Sequence, residues 1–327
     1  MTPVLEIRDL RVKMPTPRGH VTVVDGVDLT AEPESIAGIA GESGSGKTIT
    51  MLAVLGLLPP DAIVEGSARL AGRELIGLPE RELRAVRGRR MAMIFQDPLA
   101  SLHPMLTIGR QLTDHMRAHL GLGRAKARAR AVELLAEVRL PDPAGMLDRH
   151  PHEFSGGMRQ RVAIAMALAC EPEVIIGDEP TTALDVTVQA GILRLLDRLR
   201  RESGVTVVLV THDLGVMSAL ADTLSVFYSG RVVETGTAGT VLRRPRHPYT
   251  AGLLAALPSP EAKVDQGVRP IPGTPPVPGD RPSGCAFHPR CPHGVDQCAV
   301  EVPAPVELDD RHRFACPPDP FAAGRTS

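Results

Sequence analysis

The run Gly41-Glu42-Ser43-Gly44-Ser45-Gly46-Lys47-Thr48 constrains this chain more than any other feature. It meets the pattern G-x-x-x-x-G-K-[ST] at every fixed position. Residues 35–39 before it read as a strand, and residues 48–58 after it as an apolar helix. Strand, glycine-rich turn and helix, in that order, form the setting in which this pattern binds phosphate. Glycine lets the backbone turn so tightly that successive N–H groups converge, and the helix N-terminus adds partial positive charge. Gly41, Ser43, Gly44, Ser45 and Gly46 are therefore expected to wall a phosphate site. Lys47 would neutralise the β- and γ-phosphates of a nucleotide, and Thr48 would ligate Mg²⁺.

Up to about residue 257 the chain alternates short β-type runs with longer helical ones, the mark of an α/β fold. Residues 21–24, 173–176 and 205–210 are apolar and rich in β-branched types, and the last two runs have the texture of buried parallel strands. They lead into Asp178-Glu179 and Thr211-His212-Asp213, which puts polar groups where open α/β sheets bind ligands. Asp178 is suited to holding Mg²⁺ through its water shell, and Glu179 to polarising an attacking water. Residues 224–228 and 231–234, joined by Ser229-Gly230, carry a hairpin signal. Residues 124–138 read as an Arg/Ala helix with a solvated basic face. Guanine-reading GTPases of this kind use an Asn-Lys-x-Asp motif; the sequence has no Asn, which leaves ATP.

Composition excludes several other classes. A hydrophobic content of 43% supports a true core, and 2% aromatics without Trp makes that core aliphatic. A net charge of −1 gives no reason to expect nucleic-acid wrapping. Glu6, Arg8, Asp9 and Arg11 leave the first residues without a signal core. No apolar stretch approaches the roughly 20 residues of a spanning helix. The chain is expected to stay in the cytosol and to reach any membrane through a partner. Prolines dominate from Pro258 to Pro282, which reads as a linker, and the tail from Pro317 reads as frayed. Cys170 lies alone in an apolar helix and reads as a small buried hydrophobe.

Between the phosphate loop and the acidic pair lies Phe154-Ser155-Gly156-Gly157-Met158-Arg159-Gln160. It resembles the signature loop, usually written L-S-G-G-Q, of ATP-binding cassette (ABC) proteins. That resemblance implies a P-loop NTPase cassette with a RecA-like core, an antiparallel β subdomain and a helical subdomain over about residues 97–160. It covers residues 4–257. In such proteins two cassettes pack head to tail, so Ser155, Gly156, Gly157 and Met158 would close on ATP held by the partner cassette. By the same resemblance Gln96 is the Q-loop residue that senses Mg²⁺. Ala183-Leu184-Asp185 matches the D-loop, with Asp185 at the dimer seam, and His212 matches the switch histidine at the γ-phosphate. Phe154 and Met158 depart from the general Leu and Gln. The aromatic that usually stacks on adenine has no clear counterpart; Met14, Arg18 and His20 occupy that region.

Pro151-His152-Glu153-Phe154, the run from Pro180 to Gln189, and His247-Pro248-Tyr249-Thr250 resemble dipeptide and oligopeptide importer ATPases. The implied assembly has two transmembrane permease subunits, a second ATPase of the same or another kind, and an extracytoplasmic substrate-binding protein. The chain would sit peripherally on the cytoplasmic face of the inner membrane. Uptake of nickel or another small solute, and a non-transport ABC ATPase, are the alternatives. Cys285, Cys291, Cys298 and Cys316, with five, six and seventeen residues between them, have the four thiolates a metal needs. They resemble the C-terminal extension of peptide-importer ATPases, which implies a small Cys-rich module over residues 258–327 holding a [4Fe–4S] cluster, with zinc or no metal as alternatives. His288, His293 and His312 read as surface residues.

If Glu179 polarises the attacking water, Glu179→Gln should bind ATP and hydrolyse it very slowly. Full turnover by that variant, assayed with its permease and partner cassette, would remove Glu179 from the role.

Overall fold

The computed structural model describes residues 2–182, 184–257, 270–309, 312–316 and 319–321. The chain opens with strands β1 (Leu5–Thr16), β2 (Gly19–Ala31) and β3 (Ile36–Ala40), then helix α1 (Lys47–Val54), β4 (Ile63–Leu70) and β5 (Arg73–Glu74). Next come α2 (Glu80–Val86), β6 (Met91–Ile94), α3 (Pro98–Ser101), α4 (Ile108–Leu120), α5 (Arg124–Glu137), α6 (Pro143–Met146) and α7 (Gly156–Leu168). The sequence then gives β7 (Val174–Asp178), α8 (Val186–Ser203), β8 (Thr206–Val210), α9 (Leu214–Leu220), β9 (Thr223–Tyr228) and β10 (Arg231–Thr237). The C-terminal part carries α10 (Ala238–Arg243), α11 (Pro248–Ala255), α12 (Asp296–Val300), β11 (Val306–Asp309) and β12 (His312–Phe314).

Two compact units divide these elements. One takes residues 1–5, 31–36 and 77–210; the other takes 6–30, 37–76 and 211–327. In the first, β6, β7 and β8 are parallel neighbours, Ile94 opposite Gly177 and Asp178 opposite Val210. All five residues of β7 and of β8 are buried, which is why both read as unbroken apolar runs rather than alternating ones. Helices α4, α5 and α7 pack together beside them. Helix α5 buries Ala127, Ala131, Leu134 and Leu135 and ties its arginines to Glu137 and Asp148, in keeping with a solvated basic face.

In the second unit β2, β1, β4 and β5 form one sheet. In another, β3 lies parallel to β9, and β10 pairs antiparallel with both β9 and β12. The β9–β10 hairpin turns through Ser229 and Gly230, both with positive φ. Glycine is required at the second position, because a Cβ there would come within 2.2 Å of the Val23 carbonyl. Both of the chain's tyrosines meet Phe287 in one aromatic cluster: Tyr228 and Tyr249 have ring centroids 4.5 Å apart, with Phe287 at 5.3 and 5.4 Å.

Strand β12 corrects the expectation of a separate Cys-rich module. It pairs with β10 through Glu234↔Phe314, and β11 pairs with β12, so the C-terminal segment completes a sheet of the second unit. Backbone donors of a β edge need partners, and this segment supplies them. Residues 270–282, the described half of the proline-rich stretch, are pinned by Arg281, whose side chain donates to Ser229 Oγ at 3.1 Å and to the Val23 carbonyl at 2.9 Å. Residues 258–269 and 322–327 lie outside the described residues.

Fully buried Glu234 joins β10 to its surroundings. It accepts from the backbone N–H of Arg246 at 2.7 Å and of His247 at 3.0 Å, and Nε2 of His312 lies 2.8 Å away. Removing it leaves buried donors without an acceptor. Glu234→Ala should cost about 3 kcal/mol, read as a lower urea midpoint. A midpoint unchanged within error would show that this carboxylate anchors nothing.

Candidate nucleotide-binding site

The phosphate loop leaves β3 at Gly41, whose φ of +147° suits glycine alone. A Cβ there would approach the Phe227 carbonyl to 2.2 Å. Helix α1 starts after Gly46 in a left-handed conformation and has no side-chain cap, so its first amide groups face the loop. Ser43, Gly44 and Thr48 are exposed, while Ser45 and Lys47 are 4% and 5% exposed. The Lys47 ammonium donates to the carbonyls of Gly41 at 2.7 Å and Glu42 at 2.8 Å, with Ser45 Oγ at 3.3 Å. A buried ammonium in a glycine-rich turn that leads into a helix N-terminus fits a polyphosphate, whose charge such a site stabilises.

Residues that sequence reasoning had not assigned to the site hold the loop from behind. The N–H of Glu42 donates to the Tyr249 hydroxyl at 2.8 Å, and the Glu42 carboxylate pairs with Arg290. Burial pushes the Tyr249 and Tyr228 phenols up from their ordinary values and the His247 imidazole down to about 3. These groups are therefore neutral, and the Arg290–Glu42 pair is the charged element among them. Met14, Arg18 and His20 lie around the β1–β2 turn, Arg18 and His20 exposed, and His20 Nε2 stands 3.0 Å from the Asp61 carbonyl.

In the other unit the carboxyl ends of β6 and β7 emerge side by side, which groups Gln96 with Asp178 and Glu179 at one edge. Asp178 is 4% exposed. Glu179 adopts a left-handed φ of +47°, uncommon for a residue with a side chain, and donates its N–H to the Val210 carbonyl at 2.9 Å. Its Oε2 accepts from the Thr182 hydroxyl at 2.8 Å. The loop Ser155–Met158 opens α7; Ser155 Oγ caps that helix by accepting from Met158 N–H at 3.4 Å, and Ser155 and Gly156 are exposed. Asp185 caps α8, accepting from Val188 N–H at 2.9 Å, beside an 82%-exposed Val186. Ala183 lies outside the described residues. In the second unit His212 is exposed, between buried Thr211 and Asp213, which caps α9.

The family model described as ABC transporter matches residues 24–182, and the one described as oligopeptide/dipeptide transporter, C-terminal region, matches residues 233–298. The chain is 46% identical to the oligopeptide transport ATP-binding protein OppD of Haemophilus influenzae, over 92% of this chain and 93% of that protein. It is 47% identical to OppD of Salmonella typhimurium, over 90% of this chain and 88% of that one. Among solved structures, the dimeric ATP-binding cassette MJ0796 bound to ADP and Pi has a TM-score of 0.64. It is 28% identical, with 72% of this chain and 98% of that chain covered.

The C-terminal cysteines correct a second expectation. None of Cys285, Cys291, Cys298 and Cys316 forms a disulfide among the described residues, and Cys285 N–H donates to the Cys298 carbonyl at 2.8 Å. Among the described residues, no group of three or more His, Cys, Asp or Glu stands where it could hold a metal ion. This overturns the expected iron–sulfur cluster. Burial also favours the neutral thiol over the thiolate at three of these positions. It raises Cys285 and Cys291 and, with the neighbouring cysteines, pushes Cys316 up to about 12. His312 is likewise no surface residue; it is 3% exposed.

Burial also pushes Cys170 up to about 11. A raised value means less thiolate at any pH below it, so alkylation must slow. At about pH 8, Cys170 and Cys316 in the native chain should react with iodoacetamide at least about tenfold slower than in the unfolded chain. The rates should climb only towards strongly alkaline pH. Equal rates in the two states would contradict the buried thiols.

Proposed function

The chain belongs to the ABC transporter family, among its oligopeptide-import ATP-binding proteins, and on that premise we propose the following cycle. It is the ATP-hydrolysing subunit of an importer that takes up dipeptides and oligopeptides through a membrane permease. The observation that carries the reading is the buried Lys47 ammonium, held by loop carbonyls at the mouth of the phosphate loop.

On this reading residues 1–257 handle the nucleotide, residues 97–160 engage the permease, and residues 258–327 form the C-terminal extension. Lys47 and the amides of Gly41, Ser43, Gly44, Ser45 and Gly46 bind the β- and γ-phosphates of ATP. Thr48, Gln96 and Asp178 are the residues that would hold a magnesium ion, whose charge would neutralise the phosphoryl oxygens. Ser155, Gly156, Gly157 and Met158 present a second set of amides to ATP on the partner cassette, with Asp185 at the seam. Glu179, its carboxylate oriented by Thr182, aligns water for in-line attack, and His212 steadies the charge of the transferred group. Contacts made only in the closed pair favour closure; hydrolysis removes them and the pair reopens.

Among the described residues no helix is long and apolar enough to cross a membrane. We assign the chain a peripheral place on the cytoplasmic face of the inner membrane. Its partners are a second ATPase, of the same or another kind, two permease subunits and an extracytoplasmic substrate-binding protein. The dimeric form of the solved cassette supports the pairing.

Vesicles carrying permease, both ATPases and the binding protein test the proposal. Peptides should stimulate ATP hydrolysis, and Lys47→Ala should abolish it. Stimulation by nickel but not by peptides would reassign the cargo, and an assembled complex that neither retains nor cleaves ATP would sink the reading.

A further inference from the structure

A carboxylate is an awkward neighbour for a polyphosphate, yet Glu42 is the first variable residue of the loop Gly41–Thr48, with its side chain 27% exposed. Like charges that close repel, and the repulsion grows as water is excluded. Arg290 answers it from the short turn His288–Arg290, far along the chain. Its Nη1 donates to Glu42 Oε2 at 2.7 Å and its Nη2 to Oε1 at 3.0 Å, the two-pronged geometry that a guanidinium offers a carboxylate.

The arginine has little freedom to leave. Its side chain is 4% exposed, Nε donates to the Pro272 carbonyl at 2.8 Å, and Nη1 also donates to the Tyr228 hydroxyl at 3.3 Å. The guanidinium carbon lies 5.8 Å from the Tyr228 ring centroid and 5.9 Å from that of Phe287. The remaining polar groups of Glu42 are also engaged, its N–H by Tyr249 and its carbonyl by Lys47. A second arginine of the same segment, Arg281, holds Ser229; the next residue, Gly230, donates its N–H to the Ser45 carbonyl at 2.8 Å. Two arginines from the C-terminal segment thus reach the loop or the turn that supports it.

We propose that Arg290 is a positioning residue of the nucleotide site: it neutralises Glu42, so that the C-terminal segment sets the affinity of the phosphate loop for ATP. The proposal rests on the reading of Gly41–Thr48 as the ATP site. Linkage makes the effect reciprocal, because ATP that favours the neutralised loop also favours the docked segment.

The test measures the MgATP dissociation constant of the full chain, and KM and kcat in the assembled complex. Arg290→Gln, which keeps length and donors but loses the charge, should weaken MgATP binding about tenfold, with the loss in KM rather than kcat. Added salt should narrow the gap, since screening relieves repulsion. Glu42→Gln should bind at least as tightly as wild type, and Arg290→Gln combined with Glu42→Gln should recover most of the single variant's loss. An Arg290→Gln chain that folds with unchanged affinity would overturn the proposal, as would a double variant as weak as the single one. Should Arg290→Gln fail to fold, Glu42→Gln alone decides, because weaker binding there contradicts a repulsive carboxylate. Failure of the wild-type chain itself to bind MgATP would fault the ATP-site reading instead.

Discussion

A buried ammonium governs this molecule. Lys47 has almost no contact with solvent, and loop carbonyls accept its donors at hydrogen-bonding distance. Such a charge is tolerable in the interior only where its donors are satisfied and further negative charge can approach. The loop must therefore turn sharply at Gly41, run past exposed Ser43 and Gly44, and enter α1 through a left-handed Gly46 without a side-chain cap. Everything behind the loop keeps that shape: the β9–β10 turn, the tyrosine pair and the C-terminal arginines.

What the sequence made legible was local. The phosphate loop, the buried strands and their polar ends, and the Ser229-Gly230 hairpin are written in adjacent residues, and each stands in the structure where the pattern put it. The structure adds helix caps that are just as local, though the sequence reading had not named them: Ser155, Asp185 and Asp213 each accept from an amide two or three residues on. The motifs, taken in their order along the chain, made the resemblance to a cassette recognisable as a whole. The left-handed conformation of Glu179, by contrast, has no signature, since nothing in a Glu forecasts positive φ. Thr182, three residues on, was a hint visible only after the carboxylate had a role.

Long-range partners were not legible. Arg290 and Glu42 are 248 positions apart, and neither stands in a pattern that names the other. The tail shows the same limit from another side. Composition shifts from Pro258 onward, and a shift in composition looks like a boundary, but β12 joins β10 and Arg281 reaches Val23. The cysteines complete the lesson. Spacing counts thiols without weighing how much water each has lost, and here burial favours the protonated form of Cys285, Cys291 and Cys316.

The aromatic cluster of Tyr228, Tyr249 and Phe287 has a practical corollary. A chain trimmed after Leu257, where composition invites the cut, would keep both phenols and lose the ring that covers them, along with the Arg290 guanidinium beside that ring and the Arg281 guanidinium at the Ser229 turn. The remnant would expose a greasy, acidic underside directly beneath its nucleotide cradle. Shortened versions of this subunit are therefore poor proxies for the intact one, and weak nucleotide retention by such a fragment would report on the missing floor rather than on the cradle.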